Sequence, residues 1–315
     1  MDDLESAALT AVHTCLSVQP DESCVVVTDS KRQQIGTLLY EAASDVTDDA
    51  VLISMQPGEE HGGEPPAPVA GALKASDVFF APTTKSLSHT RARSEATNAG
   101  ARGSTLPAIT ETVFTTGLNA DYDDIARQSQ RIYEAVASST EIRVTGEAGT
   151  DITFTIGERD WHQDTGIVHD PGQFSNLPAG EVFVSPETAT GTYVVDGTIR
   201  PHGLLDPGQT VEVRVEDGYA VEISDPAVAE SFERAARSVG RDAYNLAELG
   251  IGTNTGVTAL IGSVLLDEKA AGTVHIALGD DAGIGGDTEA PIHADGVIRN
   301  PTVTVDGEPL DLPRP

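Results

Sequence analysis

The chain has 315 residues, is 39% hydrophobic and 4% aromatic, and sets 50 Asp and Glu against 19 Lys and Arg for a formal net charge of −31. That length favours two domains over a single core, and so few aromatics mean cores built from Val, Ile, Leu and Ala. The charge excludes nucleic acid and anionic membranes as partners, because both require a basic surface.

The acidic residues are spread along the whole chain rather than gathered into a tail. They read as a surface adapted to high salt, where screening shortens like-charge repulsion, and so point to a halophilic source. Cys15 and Cys24 are the only cysteines, which rules out a disulfide framework and a CxxC zinc site. The opening MDDLESAALTAVHTC has no basic segment followed by an apolar run, so the expected location is cytoplasmic. No apolar run is long enough to span a membrane as a helix.

In chain order, SCVVVTD (23–29) predicts a strand and KRQQIGTLLYEAA (31–43) a helix with Ile35, Leu38 and Leu39 on one face. AVLISM (50–55) predicts a second strand, followed by the polar loop 57–68 and a short helix. DVFFAP (77–82) is a third strand, RARSEATNAGA (91–101) a helix and GSTLPA (103–108) a fourth strand. Such alternation implies a parallel sheet covered by helices on both faces. No GxGxxG follows the first strand, so no dinucleotide site is read. A helix over 120–138 leads into a region of alternating strands, EIRVTG, DITFTIG, GEVFVSP, GTYVVDG, TVEVRVEDG and YAVEIS, punctuated by Gly and Asp. Residues 226–244 read as helix, and the remainder as Gly-rich loops and short strands. The expected architecture is an α/β doubly wound domain over 1–139 and an α+β domain, dominated by antiparallel strands, over 140–315.

Four segments of the second half set metal-type ligands beside glycines: NLPAGEVFVSPE (176–187), LAELGIGTN (246–254), DEKAAGTVHIALG (267–279) and APIHADG (290–296). Each places a His or a carboxylate at an expected strand edge or tight loop, where Gly lets backbones approach closely. In an extended segment His293 and Asp295, two residues apart, point to one face. Glu181, Glu248, His275, His293 and Asp295 together offer donors suited to zinc, cobalt, manganese or iron. Taken singly, each carboxylate also reads as surface charge, and His275 within VHIAL as a core histidine.

Taken in order, LPAGEV, ELGIGTN, GTVHIALG and IHADGV resemble the thermophilic aminopeptidase T family of metallopeptidases over roughly residues 140–307. The resemblance implies an N-terminal α/β domain, a C-terminal domain with two metal ions, a homodimer and a peptide as substrate. It makes Glu181, His275, His293 and Asp295 ligands and Glu248 a ligand or bridge. The implied reaction removes an N-terminal amino acid, with metal-activated water and a carboxylate, Glu181, as catalytic base. Members of that family carry a Tyr shortly after the GTxHxALG segment, whereas GDDAGIGGDTEAP (279–291) has none. The same scaffold resembles the 2,5-dihydroxypyridine dioxygenases, which would use one iron and the set Glu181, His275, His293 and Asp295. In that comparison KSLSHT (85–90), after the third strand, looks like a site loop, which makes His89 a candidate catalytic base or substrate contact. His162 and His169, on either side of the segment following Trp161, read as a candidate substrate entrance.

Overall fold

A computed structural model describes residues 3–314 and divides the chain into two compact units. The first runs to Asp123 and resumes over Asp164–Ala179; the second comprises Asp124–Gln163 and everything from Gly180 onward. The chain therefore passes between units three times, where the sequence suggests one passage near residue 140.

The first unit is built on parallel strands β1 (Cys24–Asp29), β2 (Ala50–Met55), β3 (Val78–Thr83) and β4 (Arg102–Pro107), joined by β8 (Phe174–Asn176) in the order β2-β1-β3-β4-β8. β1 and β3 are buried along their whole lengths, as strands covered on both faces must be, which is why they read as unbroken apolar runs. The intervening helices are α2 (Gln33–Ser44), α3 (Ala67–Ala75) and α4 (Arg91–Asn98), after α1 (Asp3–Leu9) and before α5 (Glu111–Leu118). Cys15 and Cys24 are both free and buried, and burial pushes the Cys24 thiol up to about 12, so it stays protonated and unreactive.

The second unit opens with α6 (Tyr122–Val136) and holds two mainly antiparallel sheets. One has the order β14-β13-β10-β6-β5-β18-β19, made of β5 (Glu141–Thr145), β6 (Asp151–Thr155), β10 (Thr188–Val195), β13 (Val211–Glu216), β14 (Tyr219–Ile223), β18 (Thr302–Val305) and β19 (Glu308–Leu310). The other has the order β12-β11-β17-β16-β15-β9-β7. It comprises β7 (His162–Asp164), β9 (Glu181–Val184), β11 (Thr198–Ile199), β12 (Gly203–Leu204), β15 (Leu246–Gly252), β16 (Val274–Gly279) and β17 (His293–Ile298). Val182, Val184, Leu249, Ile251, Val274, Ile276 and Leu278 of this second sheet share one core with Ile142, Phe154, Val195 and Val213 of the first and with Phe232 of α7 (Pro226–Val239). The short α8 (Val264–Asp267) leads into β16. The fold class is that expected: a parallel sheet with helices, followed by antiparallel sheets. Among the described residues no helix is long and apolar enough to cross a membrane.

LAELGIG, which reads as a strand edge or a tight loop, is more central than either. It is β15, a fully buried strand paired with both β9 and β16. Gly250 and Gly252 weaken strand propensity on paper, but this position between two partners supplies the backbone hydrogen bonds that override it.

Candidate metal centre

Alternation along four strands puts the chemistry on one face and the core on the other. On β16 the residues Val274, Ile276 and Leu278 point into the core, so His275 and Ala277 face the opposite way. Register then carries that face across the sheet. Gly250 pairs with His275 and with Phe183, Gly252 with Glu181, and Glu248 and Asp295 both pair with Ala277. Glu181, Glu248, His275, His293 and Asp295 therefore share a face although they come from four separated segments.

Small residues on that face let the long side chains meet. A Cβ on Gly250 would overlap the His275 ring, so the absence of a side chain is what lets His275 reach across β15 to Glu181. Ala277 stands between Glu248 and Asp295, its partners on the two neighbouring strands. His275 Nε2 lies 3.2 Å from Glu248 Oε1 and 3.4 Å from Glu181 Oε2. His293 Nε2 lies 3.3 Å from Glu248 Oε2 and 3.5 Å from Asp295 Oδ1. The donor atoms form two triads, Glu181–Glu248–His275 and Glu248–His293–Asp295, each with its atoms within 4.8 Å of one another.

Each imidazole is oriented from behind. His275 Nδ1 is 3.0 Å from the Glu268 carbonyl, and His293 Nδ1 is 2.7 Å from the Asp280 carbonyl. A carbonyl only accepts, so both Nδ1 atoms carry the proton and both Nε2 atoms face the carboxylates. This is the arrangement in which a metal-binding histidine is held. Four carboxylates, Glu181, Glu248, Glu268 and Asp295, are gathered here with one buried ammonium, Lys269, whose Nζ is 3.1 Å from Glu181 Oε1 and 2.6 Å from Glu268 Oε1. Buried carboxylates at this density call for cationic compensation, and the oxygen and imidazole donors fit a divalent first-row metal.

Without a metal the histidines take that role as imidazolium ions. Burial pulls the His275 pKa down, but the hydrogen bond to Glu248 and the charges of Glu181 and Glu248 outweigh it and raise it to about 9. His293 is raised in the same way against its burial by Asp295 and Glu248, although 34% of its side chain meets solvent. Burial also opposes ionisation of Glu248, yet the two histidines hold its pKa well below the usual carboxylate range. Glu268 goes the other way, raised to about 7 by burial and by the charges of Asp295 and Glu181, against the pull of Lys269. The raised His275 pKa stabilises the metal-free form fully below pH ~6.5, the unfolded value, and that contribution is lost as pH rises through about 9; the raised His293 acts in the same direction. A metal must displace these protons. Titrating a divalent ion into metal-free protein at pH 7 should therefore release about two protons. The number is read by comparing calorimetric heats in buffers of different ionisation enthalpy, and no release would mean that both Nε2 atoms are neutral beforehand.

A sequence profile of the NicX family, described as 2,5-dihydroxypyridine 5,6-dioxygenase, matches residues 6–311. The chain belongs to this family. Among solved structures, the 2,5-dihydroxypyridine dioxygenase from Pseudomonas putida KT2440 is similar with a TM-score of 0.80 at 18% identity, covering 99% of this chain and 97% of the other. Wild-type AmpT from Thermus thermophilus is similar with a TM-score of 0.69 at 19% identity, covering 99% and 98%. At these identities the two structures establish the fold that this family member shares with both. No curated protein matches the sequence.

The other singled-out residues fall as follows. His89 is exposed in the first unit, on the loop after β3, within a well-tethered segment. Asp29 Oδ1 accepts from Thr84 Oγ1 at 2.9 Å, Ser88 Oγ donates to Asn176 Oδ1 at 2.9 Å, and Thr90 caps α4 by accepting from the Arg93 N–H. His162 and His169 belong to different units. His162 lies on β7 with its ring 5.4 Å from that of Phe183, on the ligand-bearing face, while His169 Nε2 contacts the Thr14 carbonyl at 2.9 Å. Trp161 is a core residue. The loop after GTVHIALG is shaped by the buried Asp281, which accepts from Ser185 Oγ at 3.0 Å, Asn245 Nδ2 at 2.8 Å and the Thr288 N–H at 2.7 Å. Gly250, Lys269 and the two orienting carbonyls are the parts of the centre that sequence reasoning left without a definite role. Gly250 and Gly252 did carry a signal, since they alternate with Leu249 and Ile251 on the same parity as Glu248.

Proposed function

We propose that the protein is a mononuclear iron dioxygenase that opens a hydroxylated nitrogen-containing aromatic ring. The family match over nearly the whole chain carries this reading, and the five-residue cluster on one sheet face supports it. Glu181, His275, His293 and Asp295 would hold the ion, with Glu248 between the two histidines. Ferrous iron bound there supplies the one-electron chemistry that dioxygen needs to react with an aromatic ring. The chain's own groups do the rest. The Glu268 and Asp280 carbonyls fix the histidine tautomers, and Glu248 accepts from both Nε2–H groups before metal enters.

A second reading has one observation in its favour. The two triads joined at Glu248, each with its own histidine and a further carboxylate, are also what a two-metal aminopeptidase acting on peptides would use, with zinc, cobalt or manganese. The test supplies metal-free protein with ferrous iron in high salt, adds 2,5-dihydroxypyridine, and follows oxygen uptake alongside loss of ring absorbance. One oxygen consumed per ring opened is expected. No uptake, together with release of amino acid from aminoacyl amides by the zinc-, cobalt- or manganese-loaded protein, would reverse the order of the two readings.

A further inference from the structure

Lys269 is one of four lysines in the chain and is 2% exposed, held two residues beyond α8 against the ligand cluster. A cation at this place repels a divalent metal, so simple support of metal binding does not account for it. What it does is divide the two oxygens of Glu181. Oε1 accepts from Lys269 Nζ at 3.1 Å, while Oε2 faces His275 Nε2 at 3.4 Å. The neighbouring residue works on the same centre, since the Glu268 carbonyl accepts from His275 Nδ1 and the Glu268 carboxylate takes a second Lys269 hydrogen bond at 2.6 Å. The pair Glu268–Lys269 thus fixes two ligands at once, His275 through the backbone and Glu181 through the ammonium.

We propose that Lys269 is a positioning residue that withholds one oxygen of Glu181 from the metal, so that Glu181 fills one coordination position instead of two and the centre takes a single ion. The inference rests on the one-metal reading above. A carboxylate kept to one oxygen leaves a coordination position for an incoming molecule, and that is of use to an enzyme that must admit both a ring and oxygen.

The experiment adds cobalt(II) to metal-free protein and records equivalents bound, affinity and the intensity of the visible cobalt band, which weakens as coordination number rises. The parent should take up one equivalent. Lys269→Met should bind cobalt at least about tenfold more tightly, the repulsion expected between a unit charge and a divalent ion ~5 Å apart even at the dielectric of water. Its band should weaken several-fold as Glu181 turns both oxygens to the ion. Lys269→Gln removes the charge but keeps one donor to Oε1, so it should gain affinity and keep the parent's band. Lys269→Arg keeps charge and donor and should resemble the parent in both. A parent-like band in Lys269→Met, or two equivalents in the parent, would overturn the proposal. Should neither neutral variant fold, the parent's cobalt count decides alone: one equivalent supports it, two overturn it. None of these readouts uses turnover. A protein that shows them yet opens no ring loses the proposed function and keeps this role for Lys269.

Discussion

Gly250→Ala should abolish metal binding while leaving most of the protein folded. The added methyl would occupy the space of the His275 ring, and the crowding atoms belong to a side chain rather than to backbone. The ring can give way only by breaking its bond to the Glu268 carbonyl and leaving Glu181 and Glu248. Overpacking of this kind costs on the order of 1–3 kcal/mol. The loss at the centre should be larger in effect, at least roughly 100-fold in metal affinity, since a ligand is displaced and disturbing even a supporting contact costs 10–100-fold. Equilibrium dialysis against ferrous iron or cobalt, beside a thermal melt of the metal-free variant, checks both halves. Parent-like affinity would show that His275 does not need the gap over Gly250.

Glu248→Ala should separate the two functional readings by number. Glu248 is the residue common to both triads, its Oε1 toward His275 and its Oε2 toward His293. In the one-iron reading Glu181, His275, His293 and Asp295 remain, and the variant should keep one equivalent of iron with part of its ring-opening activity. In the two-metal reading the shared carboxylate is lost, the count should fall from two to one, and amide hydrolysis should drop by orders of magnitude. Metal analysis of parent and variant after identical loading gives the answer without reference to substrate.

Much of the first unit was legible because its strands obey simple rules. CVVVTD and VFFAPT are buried on both faces and read as continuous apolar runs, and the helix-forming segments between them dictate parallel pairing. The short β7 and β8 have no such signal, since HQD and FSN are three-residue strands with no pattern of their own and exist only because longer neighbours accept them. The helix over Glu111–Leu118 is equally unannounced, its Thr-rich stretch being a poor helix former stabilised by the Thr110 cap and by burial of Val113 and Phe114. In the candidate centre the ligand types could be read, and the spacing of His293 and Asp295 gave their common face. Backbone partners could not be read. The Glu268 and Asp280 carbonyls act through atoms that every residue has, so no side-chain pattern announces them. The approach of His275 over Gly250 depends on cross-strand register, which no local stretch encodes.

The strand Val274–Gly279 gives alternate residues to two separate tasks, chemistry on one side and cohesion on the other. Inheritance can therefore act on the two almost independently. A change at 275 or 277 alters what the protein reacts with and leaves the apolar core alone, while a change one place along, at 274, 276 or 278, does the reverse. Two such comb-like rows, offset by a single residue, would let a lineage trade one metal chemistry for another on an unchanged frame.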